Sequence, residues 1–395
     1  MSDSIANDSK LPAAVSPGKA ALVVGGAGLL LSLAGGLVDS KQFFYSYLTA
    51  FVFWTTIGLG GLFFVMLHHL TGATWSVVLR RIAEVLMITL PLMALFFIPI
   101  FLGRYELFPW THAEAVAGDH LLHKKAPYLN TTFFVMRAAI YFGIWTILAF
   151  NLYNNSLRQD ENGTPPVLRK MRSTSAPGMV LFAFTLTFAS FDWLMSLEPN
   201  WYSTIFGVYV FSGTLLSVLA FLLLAALYLR NRGVLKQSIT TEHYHDLGKL
   251  LFAFTVFWAY IAFCQYFLIW YGNIPEETTF YLQRWQGSWK AVSLLIVFGH
   301  FALPFLVLIT RAAKRNLVVL RVMGLWLLFM HWVDVHWLVL PRLHERGVSF
   351  SWMDLTTMLG IGGPLLWFFW KNLAANALVP VRDPNLKASL QFIND

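Results

Sequence analysis

Ten long apolar runs dominate the chain, at approximately 20–38, 44–70, 82–103, 131–153, 179–197, 201–229, 248–271, 287–310, 317–341 and 351–373, each bounded by charge, Gly or Pro. Runs of about 20 apolar residues are long enough to cross a bilayer as helices. Within lipid, only a helix or a closed barrel satisfies every backbone N–H and C=O. The expected fold is therefore an all-α integral membrane protein with about ten transmembrane helices. Composition agrees, with 57% hydrophobic and only 12% charged residues, against roughly a quarter charged in soluble domains.

Lys and Arg in the connections set the expected orientation. With the N-terminus inside, 19 of them fall on inner segments and 8 on outer ones, with only Arg137 inside a span. Both termini are expected in the cytoplasm: a segment 1–19 with Lys10 and Lys19, then a ten-helix domain 20–373, then a tail 374–395. The end of the first run, Gly35-Gly36-Leu37-Val38-Asp39, is unlike a cleavage site, so the first helix reads as uncleaved. The net charge of +8 is mostly this topology signal and implies no nucleic-acid partner. The tail carries no motif and reads as loose or as contacting a partner. The basic inner loop 154–178, with Pro165, Pro166 and Pro177, reads as a linker between four spans and the rest. The outer connection 104–130 holds Asp119, His120, His123, Lys124, Lys125 and Tyr128. Two histidines on a loop are weak evidence for a metal, so no metal is expected, and the segment reads as a contact surface for an external partner.

The lone Cys264 excludes a cysteine-ligated iron–sulfur cluster, and no CxxCH motif exists for covalent haem. An electron carrier must be non-covalent or belong to another subunit.

Polar residues inside the runs are the candidate chemistry, because ionisable groups at membrane depth are expensive and face the bundle interior. The stretch from Ala189 to Thr204 ends one run and opens the next, yet holds Asp192, Trp193, Glu198, Trp201 and Tyr202. Asp192 reads as buried about a turn below the outer surface; Glu198 sits in the outer turn, to cap a helix or line an exit to water. Arg137, about two turns into the fourth run, needs an anion or a quinone oxygen. Gln265 suits a carbonyl or a bond to a neighbouring helix. His300 lies mid-run before Pro304. His331 and Asp334, three apart, share one helix face, as a proton relay or a helix-to-helix hydrogen bond. At the inner boundary His68, His69 and Glu84, the last beside Arg80 and Arg81, could start a proton path or form an interfacial ion pair. Gly25, Gly26, Gly28, Gly35 and Gly36 permit close helix contact.

The stretch Phe191-Asp192-Trp193-Leu194-Met195-Ser196-Leu197-Glu198-Pro199-Asn200-Trp201-Tyr202-Ser203-Thr204-Ile205-Phe206-Gly207-Val208-Tyr209 resembles the signature of the membrane subunits of bacterial alternative complex III, a quinol:cytochrome c or iron–sulfur protein oxidoreductase. Two further pieces agree, residues 246–254 (DLGKLLFAF) and 267–278 (FLIWYGNIPEET). The resemblance covers about residues 43–373 and is closer to the shorter of the two membrane subunits. It implies the polysulfide-reductase-like arrangement of two four-helix bundles plus peripheral helices, in the bacterial inner (cytoplasmic) membrane. It also implies a non-covalent quinone (menaquinone or ubiquinone), and partner subunits that include a homologous membrane subunit and the haem c and iron–sulfur carriers. Position 200, where His is expected in the family, is Asn200 here.

Oxidising a hydroquinone requires proton acceptors beside its hydroxyls and a flat apolar slot for its ring. The leading expectation is a membrane subunit of such a complex, contributing quinol binding, proton conduction or both. Asp192, Asp334 and His331 would be the catalytic groups. Gln265, His300, Trp193 and Arg137 would hold the quinone, and Glu84, His68, His69 and Glu198 would form the proton path. The alternative is a proton-conducting or scaffolding subunit with no quinone site. A b-type cytochrome using His300 and His331 is a third reading, and a solute transporter lacks the expected pair of interrupted helices.

Overall fold

The computed structural model describes residues 11, 12, 15–163 and 165–394. The segment 1–19 falls largely outside the described residues, Lys10 included. All regular structure among the described residues is helical. Ten long helices follow the ten apolar runs: α1 (Gly18–Val38), α2 (Ser40–Thr71), α3 (Val77–Leu102), α4 (Thr131–Asn162), α5 (Pro165–Trp193), α6 (Phe206–Asn231), α7 (Thr241–Gly272), α8 (Trp289–Leu308), α9 (Leu317–Val339) and α10 (Trp352–Ala375). Among the described residues, the first nine are long and apolar enough to cross a membrane. The last, α10, is less apolar because it turns polar side chains inward. Its Asp354 accepts from Ser46 Oγ at 2.5 Å, and Thr357 Oγ1 donates to the Ser46 carbonyl at 3.1 Å.

Two helices, α2 and α6, bury most of their residues and touch along their length. Around α2 pack α3, α4 and α5; α7 and α9 pack on α6, and α8 packs on α7 and α9. The result is two four-helix groups joined at the α2/α6 seam. Close approach there depends on Gly60, where a Cβ would stand 2.9 Å from the Thr214 carbonyl.

At the periphery α1 packs on α10, and the small residues explain how. A Cβ at Gly25 would lie 2.6 Å from Pro364 Cδ, and one at Gly28 would lie 2.8 Å from the Thr356 carbonyl. Ser32 Oγ donates to Thr356 Oγ1 at 2.9 Å across the same seam. Of the remaining glycines in the run, Gly35 meets Met353, whereas Gly26 faces open space and is no part of the contact.

The expected linker 154–178 is almost wholly helical, since α4 runs to Asn162 and α5 begins at Pro165. Gly163, at φ +60°, closes α4 by donating to the Gln159 carbonyl at 2.8 Å. Hydropathy marks where lipid ends, not where a helix ends, so polar extensions of both helices read as a loop. The tail, expected loose or partner-bound, instead lies on its own chain: Leu378 and Val379 are fully buried, and Ser389 Oγ donates to the Trp75 carbonyl at 2.9 Å.

Candidate functional site

The expected site residues fall into four groups. In the first, the last turn of α5 presents Asp192 to α4, fully buried. Arg137 donates from Nε to Oδ2 and from Nη2 to Oδ1, both at 2.8 Å, and Tyr141 Oη donates to Oδ2 at 2.8 Å. Arg137 also donates to the Tyr128 carbonyl at 2.9 Å, and its guanidinium lies 3.8 Å from the Tyr128 ring centroid. Three donors occupy most of the roughly four acceptor positions of a carboxylate. Trp193 sits in a box of Phe51, Phe97, Phe142 and Trp145, with the Phe142 ring stacked on it at 5.6 Å. Its indole Nε1 is buried without a protein partner. That nitrogen and the equally unpartnered Thr55 Oγ1 belong to residues lining one small cavity of about 20 Å³, which Thr56 and Ser190 also line. Such a space holds about one water.

The second group lies across the seam. Thr56 Oγ1 donates its single proton to the Phe53 carbonyl at 2.9 Å, so it accepts from His331 Nε2, also at 2.9 Å. This fixes the tautomer and leaves His331 Nδ1 as a free acceptor. Asp334 Oδ1 accepts from Tyr209 Oη and Oδ2 from Trp258 Nε1, the latter at 3.3 Å. At Gly213 a notch brings the two residues together: a Cβ there would be 3.3 Å from His331 Nδ1 and 3.9 Å from Asp334 Oδ2. His300 lies over Trp258 with centroids 4.0 Å apart, and neither of its ring nitrogens has a protein partner. It stands in a π-helical segment, Ile296–Ala302. Pro304 has no N–H to return to the His300 carbonyl, which loosens the α ladder at that turn.

The third group is the turn between α5 and α6. Glu198 caps no helix, and its side chain is 16% exposed. It pairs with Arg284 at 2.8 Å, and Arg284, counted as an outer charge from sequence, is only 1% exposed. A short helix, Pro275–Arg284, carries that arginine, which also donates to the carbonyls of Phe280, Trp337 and Leu338. Gln265 is spent between Ser203 Oγ, donating to Oε1 at 2.9 Å, and Tyr281 Oη, accepting from Nε2 at 3.0 Å. It ties the turn to the short helix. Asn200 Nδ2 donates to Asp119 Oδ2 at 2.8 Å, which with the Leu122 amide holds that exposed carboxyl below its ordinary range. Lys125 Nζ donates to the Pro199 carbonyl at 2.5 Å. The 104–130 connection thus folds onto this turn.

The fourth group is at the opposite end. Glu84 is fully buried between Arg80 (2.9 Å) and Arg81 (3.2 Å) and accepts from Ser156 Oγ at 2.9 Å. Arg80 further donates to Asp383 of the tail at 2.6 Å, Gln159 at 2.9 Å and His68 Nε2 at 3.2 Å, while Arg81 pairs with Asp160. His69 packs edge-on against His68. Of the two readings open for Glu84, the geometry is that of a buried ion-pair network.

Sequence reasoning passed over Tyr141, Tyr209, Trp258, Thr56, Arg284 and Asp383. Tyr141 carried a signal, standing four residues after Arg137 on one helix face. Asp383 carried none.

Ten packed helices with ionisable groups turned inward define an all-α, multi-pass integral membrane protein. In comparison with known proteins, no family model matches the chain and no curated protein is similar to it.

Proposed function

We propose that this chain is a proton-conducting membrane subunit of a quinol:electron-acceptor oxidoreductase of the alternative complex III type, in the bacterial inner membrane. Its partners would be a homologous membrane subunit and the subunits that carry haem c and iron–sulfur centres. The resemblance of residues 191–209, 246–254 and 267–278 supports the complex. One observation supports the proton role: the line of buried polar groups from Asp192 and Trp193, through the cavity beside Thr55 and Thr56, to His331 and Asp334. A water in that cavity would bridge Trp193 Nε1 and Thr55 Oγ1. Beyond it, the free Nδ1 of His331 can take a proton and Asp334 Oδ2 can receive it across the Gly213 notch. The space beside Trp193, about 20 Å³, is far below the roughly 150 Å³ of a cavity that accepts one benzene-sized ring. This favours proton conduction here over quinol oxidation at Asp192.

The test is the assembled complex in sealed vesicles, with His331→Leu or Asp334→Asn. Proton movement per quinol oxidised should fall while quinol oxidation in the presence of an uncoupler continues. An unchanged proton stoichiometry in both variants would sink the proposal.

A further inference from the structure

Several cations on the tail side of the molecule are neutralised by the chain itself. Arg80 and Arg81 are locked among carboxylates, Lys249 pairs with Asp246, Arg315 pairs with Glu242, and Lys314 is spent on the carbonyls of Leu308 and Ile309. The hairpin between α4 and α5 is different. Arg158 of α4 and Arg169, Lys170 and Arg172 of α5 are exposed, and none of them enters an ion pair among the described residues. Arg382 of the tail joins them, because a Cβ at Gly163 in the turn of the hairpin would lie 3.3 Å from its Cδ. Asp160 is already held by Arg81, which leaves Glu161 as the exposed carboxylate facing these five cations.

Their depth decides what they face. Exposed apolar side chains, which in a bilayer meet lipid, run along both helices to Phe150 on α4 and Val180 on α5. Just beyond them Thr174 Oγ1 donates to Asn151 Oδ1 at 3.4 Å, which sets the level of one helix against the other. From this pair Arg172, Lys170, Arg169 and Arg158 follow at roughly 3–10 Å along the helix axes, at about 1.5 Å per residue. The head-group zone of one leaflet is about 5–8 Å deep. Long Arg and Lys side chains also reach back toward it. Asn154, exposed at the same level, adds a neutral donor. Guanidinium groups match phosphate oxygens with paired N–H donors.

We propose that the α4–α5 hairpin binds the phosphate of an anionic phospholipid, with Arg158, Arg169, Lys170 and Arg172 around the head group and the acyl chains along the apolar bands above. A zwitterionic lipid brings its own ammonium into the same cationic patch and is disfavoured. An acidic protein surface would match the charge, but the apolar bands of the same two helices run into the patch, so lipid already stands beside it. The site requires only that α4 and α5 face a bilayer; it rests neither on the quinol complex nor on the proton route proposed above.

The experiment titrates the full chain in mild detergent with phosphatidylglycerol or with phosphatidylcholine of the same acyl chains, and counts the lipids retained by native mass spectrometry. Phosphatidylglycerol should be retained in preference. Arg169→Gln with Arg172→Gln should weaken its binding about fivefold for each cation removed, about 1 kcal/mol apiece, and leave phosphatidylcholine unchanged. Both side chains are exposed, and an unaltered unfolding temperature in lipid-free detergent shows that the fold survives. Arg311→Gln with Lys371→Gln removes the same charge from exposed positions elsewhere and should change binding less than twofold. Equal losses in the two pairs would reduce the effect to overall charge and overturn the proposal. Equal retention of the two lipids would overturn it as well and leave the patch to an acidic protein surface. Displacement of the lipid by inorganic phosphate at the same concentration would make this a site for free phosphate, against the proposal. Proton movement enters none of these readouts, so this proposal and the previous one fail separately.

Discussion

Arg137 grips Asp192 through two parallel hydrogen bonds, one from Nε and one from Nη2, each 2.8 Å long. The carboxylate is fully buried, while the arginine side chain is 15% exposed. Removing one partner of a buried pair costs about 3–5 kcal/mol, because the remaining charge is left without compensation. Arg137→Gln should therefore destabilise the chain by about 3 kcal/mol, at the lower end of that range because the arginine end is partly wet. Thermal unfolding in detergent measures this, and a shift no larger than that of a surface Arg→Gln control would show the pair to be dispensable.

The seam between α1 and α10 gives a paired prediction. Gly28→Leu places carbon 2.8 Å from the Thr356 carbonyl and the Gly360 nitrogen, both backbone atoms. Overpacking of this kind costs about 1–3 kcal/mol and should separate the two helices. Gly26→Leu, two residues away and facing open space, should leave the unfolding temperature within error. Equal effects of the two substitutions would mean that the backbone approach is not what holds α1.

At the opposite pole of chemistry, Asp119 ties the 104–130 connection to the turn at Asn200. Its carboxyl is held below the ordinary value of 3.8, first by the Asn200 side chain and next by the Leu122 amide. A depressed folded-state value means that this contribution is fully present above the ordinary value. It is lost as pH falls through the lower one. Hydrogen exchange of residues 113–125 should stay slow at neutral pH and rise only in acid below about pH 4. Asn200→Ala should raise that exchange at neutral pH. Exchange that is flat across the acid range would remove Asp119 from the account.

The ten helices were legible because lipid imposes one rule on every span, and an apolar run obeys it locally. The groupings of polar residues were legible only where helical spacing brings them together, as with His331 and Asp334. Asp192 was readable as buried, but its partner was not assigned, since nothing local says that α4 lies beside α5. Arg284 misled for a related reason: it stands in a connection, and only the tertiary fold shows Glu198 and three backbone carbonyls closing over it. The loop at 154–178 was misjudged because polarity and helicity are independent outside the bilayer.

Asp383 supplies the carboxylate that reaches Arg80 at 2.6 Å, 303 residues away in sequence. A ribosome releases α3, with Arg80 and Arg81, long before it reaches position 383. For the first part of that interval the two guanidinium groups have only Glu84 as a carboxylate partner; once Asp160 is made they still lack the third. The nascent protein is thus one anion short until position 383 is made, and the segment that carries it acts as the latch on the first bundle.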